Sequence, residues 1–124
     1  MEDLQSAKEM QALTKPFLDR GFVFEYTYEK GGDSSCVYIY RYRKGRNYFD
    51  LREVSGGAEM TFVVWANGEY RFPSIKALFP KAYRAFKRKH FFKRATRSET
   101  RAFVTGQLNE YLENHPEEFF GIKL

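Results

Sequence analysis

At Gly21 the spacing of the apolar residues changes from three and four to two, and no single type of secondary structure accommodates both periods. Before Gly21, apolar side chains recur at helical spacing from Leu4 to Phe17. Pro16 lies late in this stripe, so we expect a kink, or a break at which Pro16 opens a last short turn. Gly21 is suited to a left-handed C-cap. Residues 1–21 are therefore predicted to be helical.

Residues 22–72 are predicted to form five strands joined by turns. The alternation starts at Phe22, resumes at Cys36 after the loop 31–35, and returns in the runs 46–54 and 60–66, which Ser55-Gly56-Gly57 separates. Lys44-Gly45 is predicted to be a two-residue turn. Asn67-Gly68 is a strong hairpin signal that leads into a short strand over 69–72, closed by Pro73. This order of short connections predicts an antiparallel meander.

The two predicted turns fix which strand residues share a face of the sheet. They place Tyr40 opposite Phe49 and Trp65 opposite Tyr70. One face, which we expect helices to cover, collects large apolar side chains: Phe22, Phe24, Tyr26, Tyr38, Tyr40, Phe49, Leu51, Val63, Trp65, Tyr70 and Phe72. The other face is amphipathic: Val23, Glu25, Val37, Ile39, Arg41, Arg43, Tyr48, Asp50, Arg52, Phe62, Val64 and Arg71.

The remainder of the chain is predicted to be helical. Ser74 can cap a helix that ends near Lys89, and Thr96 with Glu99 matches a capping box that opens a helix from about 97 to 113. A short apolar tail follows over 117–122. The sequence thus predicts one α+β domain over 1–124, a two-layer sandwich of a five-stranded antiparallel meander (22–72) with an N-terminal helix (1–21) and basic then acidic C-terminal helices (73–124) on one face.

Several features favour a cytoplasmic protein. Cys36 is the only cysteine, so no disulfide can form within the chain, which is typical of a reducing compartment. The residues Met1–Leu4 are acidic, unlike a signal peptide. No run approaches the roughly 20 apolar residues of a membrane span, so we expect no membrane partner.

The residues that support catalysis are scarce, and we expect no enzymatic activity, no metal and no cofactor. The histidines are His90 and His115, and no zinc or calcium spacing occurs. A Cys36–histidine nucleophile pair is conceivable, but Cys36 falls on the predicted core face, where a thiol is usually inert.

One carboxylate arrangement merits comparison with metal-dependent nucleases. Asp50 and Glu69-Tyr70-Arg71 are predicted to project from the same sheet face, which is loosely similar to the Asp…Glu-x-Lys pattern that holds magnesium. Arg71 replaces the lysine, and the strand order differs. The alternative is cross-strand charge pairing of Asp50 with Arg52 or Arg71, which we prefer.

The strongest functional feature is a concentration of positive charge. Residues 81–101 carry nine cations against Glu99 alone: Lys81, Arg84, Lys87, Arg88, Lys89, Lys93, Arg94, Arg97 and Arg101. Such a cluster suits phosphate contacts and predicts a module that binds nucleic acid or another polyanion. The alternative is neutralisation within the molecule by the acidic residues Glu110, Glu113, Glu117 and Glu118.

The amphipathic sheet face predicts a different function. If exposed, it would be a surface for another protein or for a second copy of this chain. If covered, it would be a second core, with 119–122 as the candidate cover. The residues of this possible interface are Val37, Ile39, Arg41, Tyr48, Arg52, Phe62, Val64 and Arg71.

Overall fold

The computed structural model describes residues 4–30, 36–54 and 60–124. The helices are α1 (Leu4–Leu13), α2 (Lys15–Asp19), α3 (Ile75–Leu78), α4 (Pro80–Lys89) and α5 (Arg97–Asn114). The strands are β1 (Val23–Lys30), β2 (Cys36–Lys44), β3 (Asn47–Val54), β4 (Met60–Ala66), β5 (Glu69–Arg71), β6 (Glu118–Phe119) and β7 (Ile122–Lys123). The predicted loops 31–35 and 55–57 lie outside the described residues.

The sheet confirms the predicted meander. The strand order is β1-β2-β3-β4-β5, with each neighbouring pair antiparallel. Asn67 and Gly68 both take positive φ, 55° and 80°, as a two-residue type I′ hairpin turn requires. Trp65 pairs with Tyr70 as predicted. The predicted α+β architecture is therefore correct.

The β2–β3 turn lies one residue later than predicted. Lys44 pairs with Asn47, so Gly45 and Arg46 form the turn and Tyr40 lies opposite Leu51 instead of Phe49. Gly45 takes φ 63° at the first central position, where a two-residue hairpin turn of this kind needs glycine. The resulting register shift is two residues, which leaves every side chain of β3 on its predicted face.

The faces of β4 and β5 are the reverse of those predicted. Phe49 pairs with Val64 and Leu51 with Phe62, so Phe62 and Val64 share the core face. Val63 and Trp65 lie on the opposite face, which we call the outer face. The predicted turns do not span the β3–β4 connection, so they could not fix the phase of β4 relative to β3.

The helices and the β6–β7 hairpin cover the core face. Phe17 from α2 packs against Phe49 of the sheet, with ring centroids 5.0 Å apart. Phe119 from β6 lies 4.9 Å from both rings. The tail therefore completes the core between sheet and helices, and the alternative in which it covers the outer face is wrong.

The helix boundaries follow local sequence signals. Pro16 stands in the first turn of α2, after a break at Thr14, and Gly21 takes φ 93° beyond its end. Ser74 caps α3 as predicted, but the predicted single helix over 75–89 is divided because Pro80 opens α4. The capping box of Thr96 and Glu99 opens α5, with hydrogen bonds of 3.0 and 3.1 Å.

Candidate functional site

Helix α4 is amphipathic and presents its charged side to solvent. Pro80 supplies the preset φ of a first helical residue, and alanines and long side chains support the turns that follow. Tyr83 and Phe86 are partly buried on one side. The exposed side carries cations at spacings of three and four, including Lys81, Arg84 and Arg88.

Aromatic contacts hold α4 against α5. The rings of Phe86 and Phe103 stack at 4.3 Å, and Phe86 also lies 4.7 Å from the imidazole of His90. His90 Nε2 is 3.6 Å from Glu99 Oε2. A cleft of about 360 Å³ separates part of α4 from β4, with Tyr83 and Phe86 in its lining. The α5 contacts therefore position the charged side of α4.

The nine predicted cations fall into three groups. Arg97 is partly buried, with its guanidinium carbon 5.7 Å from the centre of the Tyr38 ring. Arg101 is buried. The other seven are exposed, and we call them the α4 cationic segment: Lys81, Arg84, Lys87, Arg88, Lys89, Lys93 and Arg94.

Arg101 belongs to a buried ion-pair network, so its prediction as a surface polyanion contact is wrong. Its Nη2 and Nε donate to the Glu53 carboxylate at 2.6 and 2.8 Å, and its Nη1 donates to Glu9 at 2.8 Å. Burial works to lower the pKa of Arg101, but the hydrogen bonds to the two carboxylates outweigh it and raise the pKa. Arg101 is therefore a charged part of the core.

The four predicted neutralising glutamates leave the α4 cationic segment unpaired. Glu110, Glu113, Glu117 and Glu118 are all exposed. Within the described ranges, none of them lies within 4.0 Å of a cation of this segment, and no other salt bridge to the segment is found. The cations of the last helical turn do face the negative end of the α4 dipole, which is worth a few tenths of a kcal/mol each.

Two exposed phenylalanines follow His90, the residue that caps the end of α4. Phe91 is 76% exposed and Phe92 is 97% exposed. Their rings meet edge to face, with centroids 4.9 Å apart. Neither residue falls on the apolar stripe of the helix that Ser74 precedes, and this predicted that the helix ends near Lys89. Their exposure could not be read from that spacing.

The outer face is organised around a buried carboxylate. Asp50 is fully buried and accepts hydrogen bonds from Arg41 at 2.7 and 3.0 Å and from Arg52 at 3.1 Å. The bond to Asp50 raises the pKa of Arg41, whose guanidinium also covers the Tyr48 ring at 3.9 Å. The predicted ion pair of Asp50 with Arg52 is confirmed, but the two residues lie on the same strand, and the cross-strand partner of Asp50 is Arg41 of β2.

The predicted interface is divided between the two faces of the sheet. Ile39, Arg41, Tyr48 and Arg52 lie on the outer face, whereas Phe62, Val64 and Arg71 lie on the core face. Phe62 and Val64 are buried there. The side chains of Val37 and Cys36 lie outside the described part of the structure.

The outer face carries an aromatic strip that the predicted register concealed. The rings of Tyr48 and Trp65 stack at 6.5 Å, Trp65 and Tyr70 lie 4.7 Å apart, and Phe72 stacks on Tyr70 at 6.2 Å. Tyr70 and Phe72 are exposed. If the residues of β4 had been assigned to the correct faces of the sheet, the sequence would have placed Trp65 beside Tyr48.

The predicted nuclease-like arrangement is not assembled. Asp50 pairs with Val63 and lies on the outer face. Glu69 pairs with Ala66 and Arg71 pairs with Val64, so both lie on the core face. In addition, both carboxylate oxygens of Asp50 already accept hydrogen bonds from guanidinium groups. Among the described residues, no group of three His, Cys, Asp or Glu side chains is placed to hold a metal ion.

The two histidines have structural contacts that sequence spacing could not show. His90 packs on Phe86 and pairs with Glu99, as described above. The His115 ring stacks on Tyr111 at 3.8 Å, and its Nδ1 lies 2.9 Å from the Tyr111 carbonyl. Each imidazole therefore packs against the C-terminal helices.

The chain was compared with known proteins, and no family model, curated protein or solved structure matches it. Over the described residues, no helix has both the length and the hydrophobicity needed to cross a membrane. Any functional interpretation therefore depends on the geometry of these surfaces.

Proposed function

We propose that this domain is a non-enzymatic module that binds nucleic acid through the α4 cationic segment. The observation that carries the proposal is the exposure of seven cations without a salt-bridge partner among the described residues. Like charges at neighbouring helix positions repel each other by a few tenths of a kcal/mol, and a row of phosphates relieves that repulsion. Cytoplasmic location is part of this proposal, because a chain with one cysteine needs no oxidising compartment.

The geometry of α4 suits a phosphate backbone. The helix has 10 residues and is about 15 Å long at 1.5 Å per residue. Arg84 and Arg88 stand one turn apart and can present planar forks to phosphate oxygens, whereas the flanking lysines act as point charges. A surface of this length would contact about four phosphates, which sets the expected salt dependence.

Fluorescence anisotropy with labelled oligonucleotides tests the proposal. With about four phosphates neutralised, affinity should fall about 50-fold for a single strand and about 150-fold for a duplex between about 50 and 200 mM salt. The variant R84E/K87E/R88E should abolish binding at the higher salt and change thermal unfolding only slightly, because all three side chains are exposed and the lost dipole interaction is offset by relief of repulsion among the cations.

The matched control is K8E/R46E/K123E. It makes the same change in net charge at exposed positions outside α4. If both triple variants weaken binding equally, net charge and not α4 determines affinity, and the proposal is wrong. Binding that is insensitive to salt would also refute it.

A second candidate function is protein interaction or homodimer formation through the outer face. The specific observation is the aromatic strip of Tyr48, Trp65, Tyr70 and Phe72, with its exposed end at Tyr70 and Phe72. Aromatic residues are enriched at protein interfaces. Self-association through this strip would be measured by light scattering.

A further inference from the structure

The most exposed large apolar side chains of the described structure are Phe91 and Phe92, and they lie within the α4 cationic segment. Lys89 precedes them and Lys93 with Arg94 follows, all three exposed. The Phe91 N–H donates to the Arg88 carbonyl at 3.3 Å, which attaches the first phenylalanine to the end of α4. The backbone of Phe91 is therefore held at the end of α4, beside the cations.

The ring faces of this pair are available to a ligand. The two rings are perpendicular, at 90°, so the edge of one meets the other and no protein ring stacks on them within the described residues. Two phenyl rings exposed to water contribute little to the free energy of folding, because such side chains stabilise a protein when they are buried. A partner with flat apolar faces would remove them from water.

We infer that this loop makes the site selective for single-stranded nucleic acid, with bases stacked on Phe91 and Phe92 and phosphates on the neighbouring cations. The inference rests on the proposed function and specifies its ligand. In a duplex the base faces are already stacked on each other, so only a single strand offers them to a side chain. Stacking on aromatic rings tolerates any sequence, since every base has such a face.

Single strands fit these observations better than an anionic membrane surface does. A helix that lies on a bilayer inserts a broad apolar face among the lipids. The apolar side of α4 faces the protein, because Phe86 stacks on Phe103 of α5 and Tyr83 lines the cleft against β4. Phe91 and Phe92 are the exposed rings next to α4 that could insert, whereas two rings suffice to stack one or two bases.

The test compares a labelled single strand of about 12 nucleotides with a hairpin duplex of the same sequence, for wild-type protein, F91A/F92A and F72A. F72A is the matched control, because Phe72 is also an exposed ring, 71% exposed, but is outside the α4 cationic segment. We expect wild-type protein to prefer the single strand. F91A/F92A should bind it at least about fivefold more weakly, with the salt slope unchanged.

The outcomes separate this inference from the proposed function. Equal, salt-dependent binding of both nucleic acids, unaffected by F91A/F92A, would overturn the selectivity while α4 remained a phosphate-binding surface. No binding to either nucleic acid would overturn both. Vesicles that contain phosphatidylserine form a third arm, and vesicle binding lost in F91A/F92A without any single-strand preference would identify a lipid surface instead.

Discussion

Replacing Arg101 by methionine should destabilise the domain strongly without altering its ligand-binding surface. The Arg101 side chain is 7% exposed and the Glu53 side chain 2% exposed. Three charged hydrogen bonds of 2.6 to 2.8 Å join Arg101 to Glu53 and Glu9. In R101M the Glu53 carboxylate would stay buried without its cation, whereas Glu9 can turn to solvent.

The expected loss is about 3–5 kcal/mol, the usual cost of removing one partner of a buried pair. A domain of 124 residues typically has about 6–19 kcal/mol of stability, so R101M should remain folded at room temperature. At about 3–4 °C per kcal/mol for this size, the melting temperature should fall by about 10–20 °C. The double variant E53L/R101M should recover most of this loss, because it leaves no unpaired charge.

Urea unfolding followed by far-UV circular dichroism measures these free energies, and the four proteins of the cycle give the coupling between Glu53 and Arg101. R97M is the matched control, since Arg97 lies on the same helix but is only partly buried. It should cost no more than about 1 kcal/mol. If R101M loses as little unfolding free energy as R97M and also binds oligonucleotides more weakly, Arg101 is part of the binding surface and the argument is refuted.

Two further predictions concern the core and the outer face. Burial raises the pKa of Tyr40 to about 12, above its unfolded value of about 10. The stability contributed by its neutral phenol is therefore complete below about pH 10 and is lost as the pH rises towards 12. Y40F should resist alkaline unfolding better than wild type, as measured by circular dichroism against pH. Y70K should convert any dimer to a monomer in light scattering and cost no more than about 1 kcal/mol of stability, because Tyr70 is exposed and loses only its contacts with neighbouring rings. A dimer that persists would exclude the aromatic strip as its interface.

Local sequence signals predicted the fold because each describes an interaction within a few residues. Asn67-Gly68 can adopt its paired positive φ values with little strain, and Thr96 with Glu99 satisfies the first turn of α5 by itself. Pro16 breaks the first helix because it cannot donate a backbone hydrogen bond. None of these features depends on distant parts of the chain, so each could be read from the sequence.

The faces of β4 and β5 could not be predicted in the same way. A strand's parity relative to its neighbour depends on the number of residues in the connection, and one residue more or less reverses every side chain. Val63 and Val64 are both apolar and both buried, so the β4 pattern offers no contrast between its two sides. The outer-face interface and the nuclease-like arrangement were both built on that undetermined parity.

The charge run over 81–101 shows how folding divides a feature that is uniform in sequence. Arg101 follows the buried stripe of α5, three residues before Val104, and Glu53 follows Leu51 on the core face of β3. Each position can be assigned to the core side of its element from the periodicity, but the pairing of Arg101 with Glu53 depends on how α5 packs on the sheet. The cations of α4 lack such a partner among the described residues and are exposed to solvent. Phe91 and Phe92, beyond the end of the helix, are exposed as well. The helical spacing in α5 and the two-residue alternation in β3 thus distinguish the cation that stabilises the core from those available to a ligand.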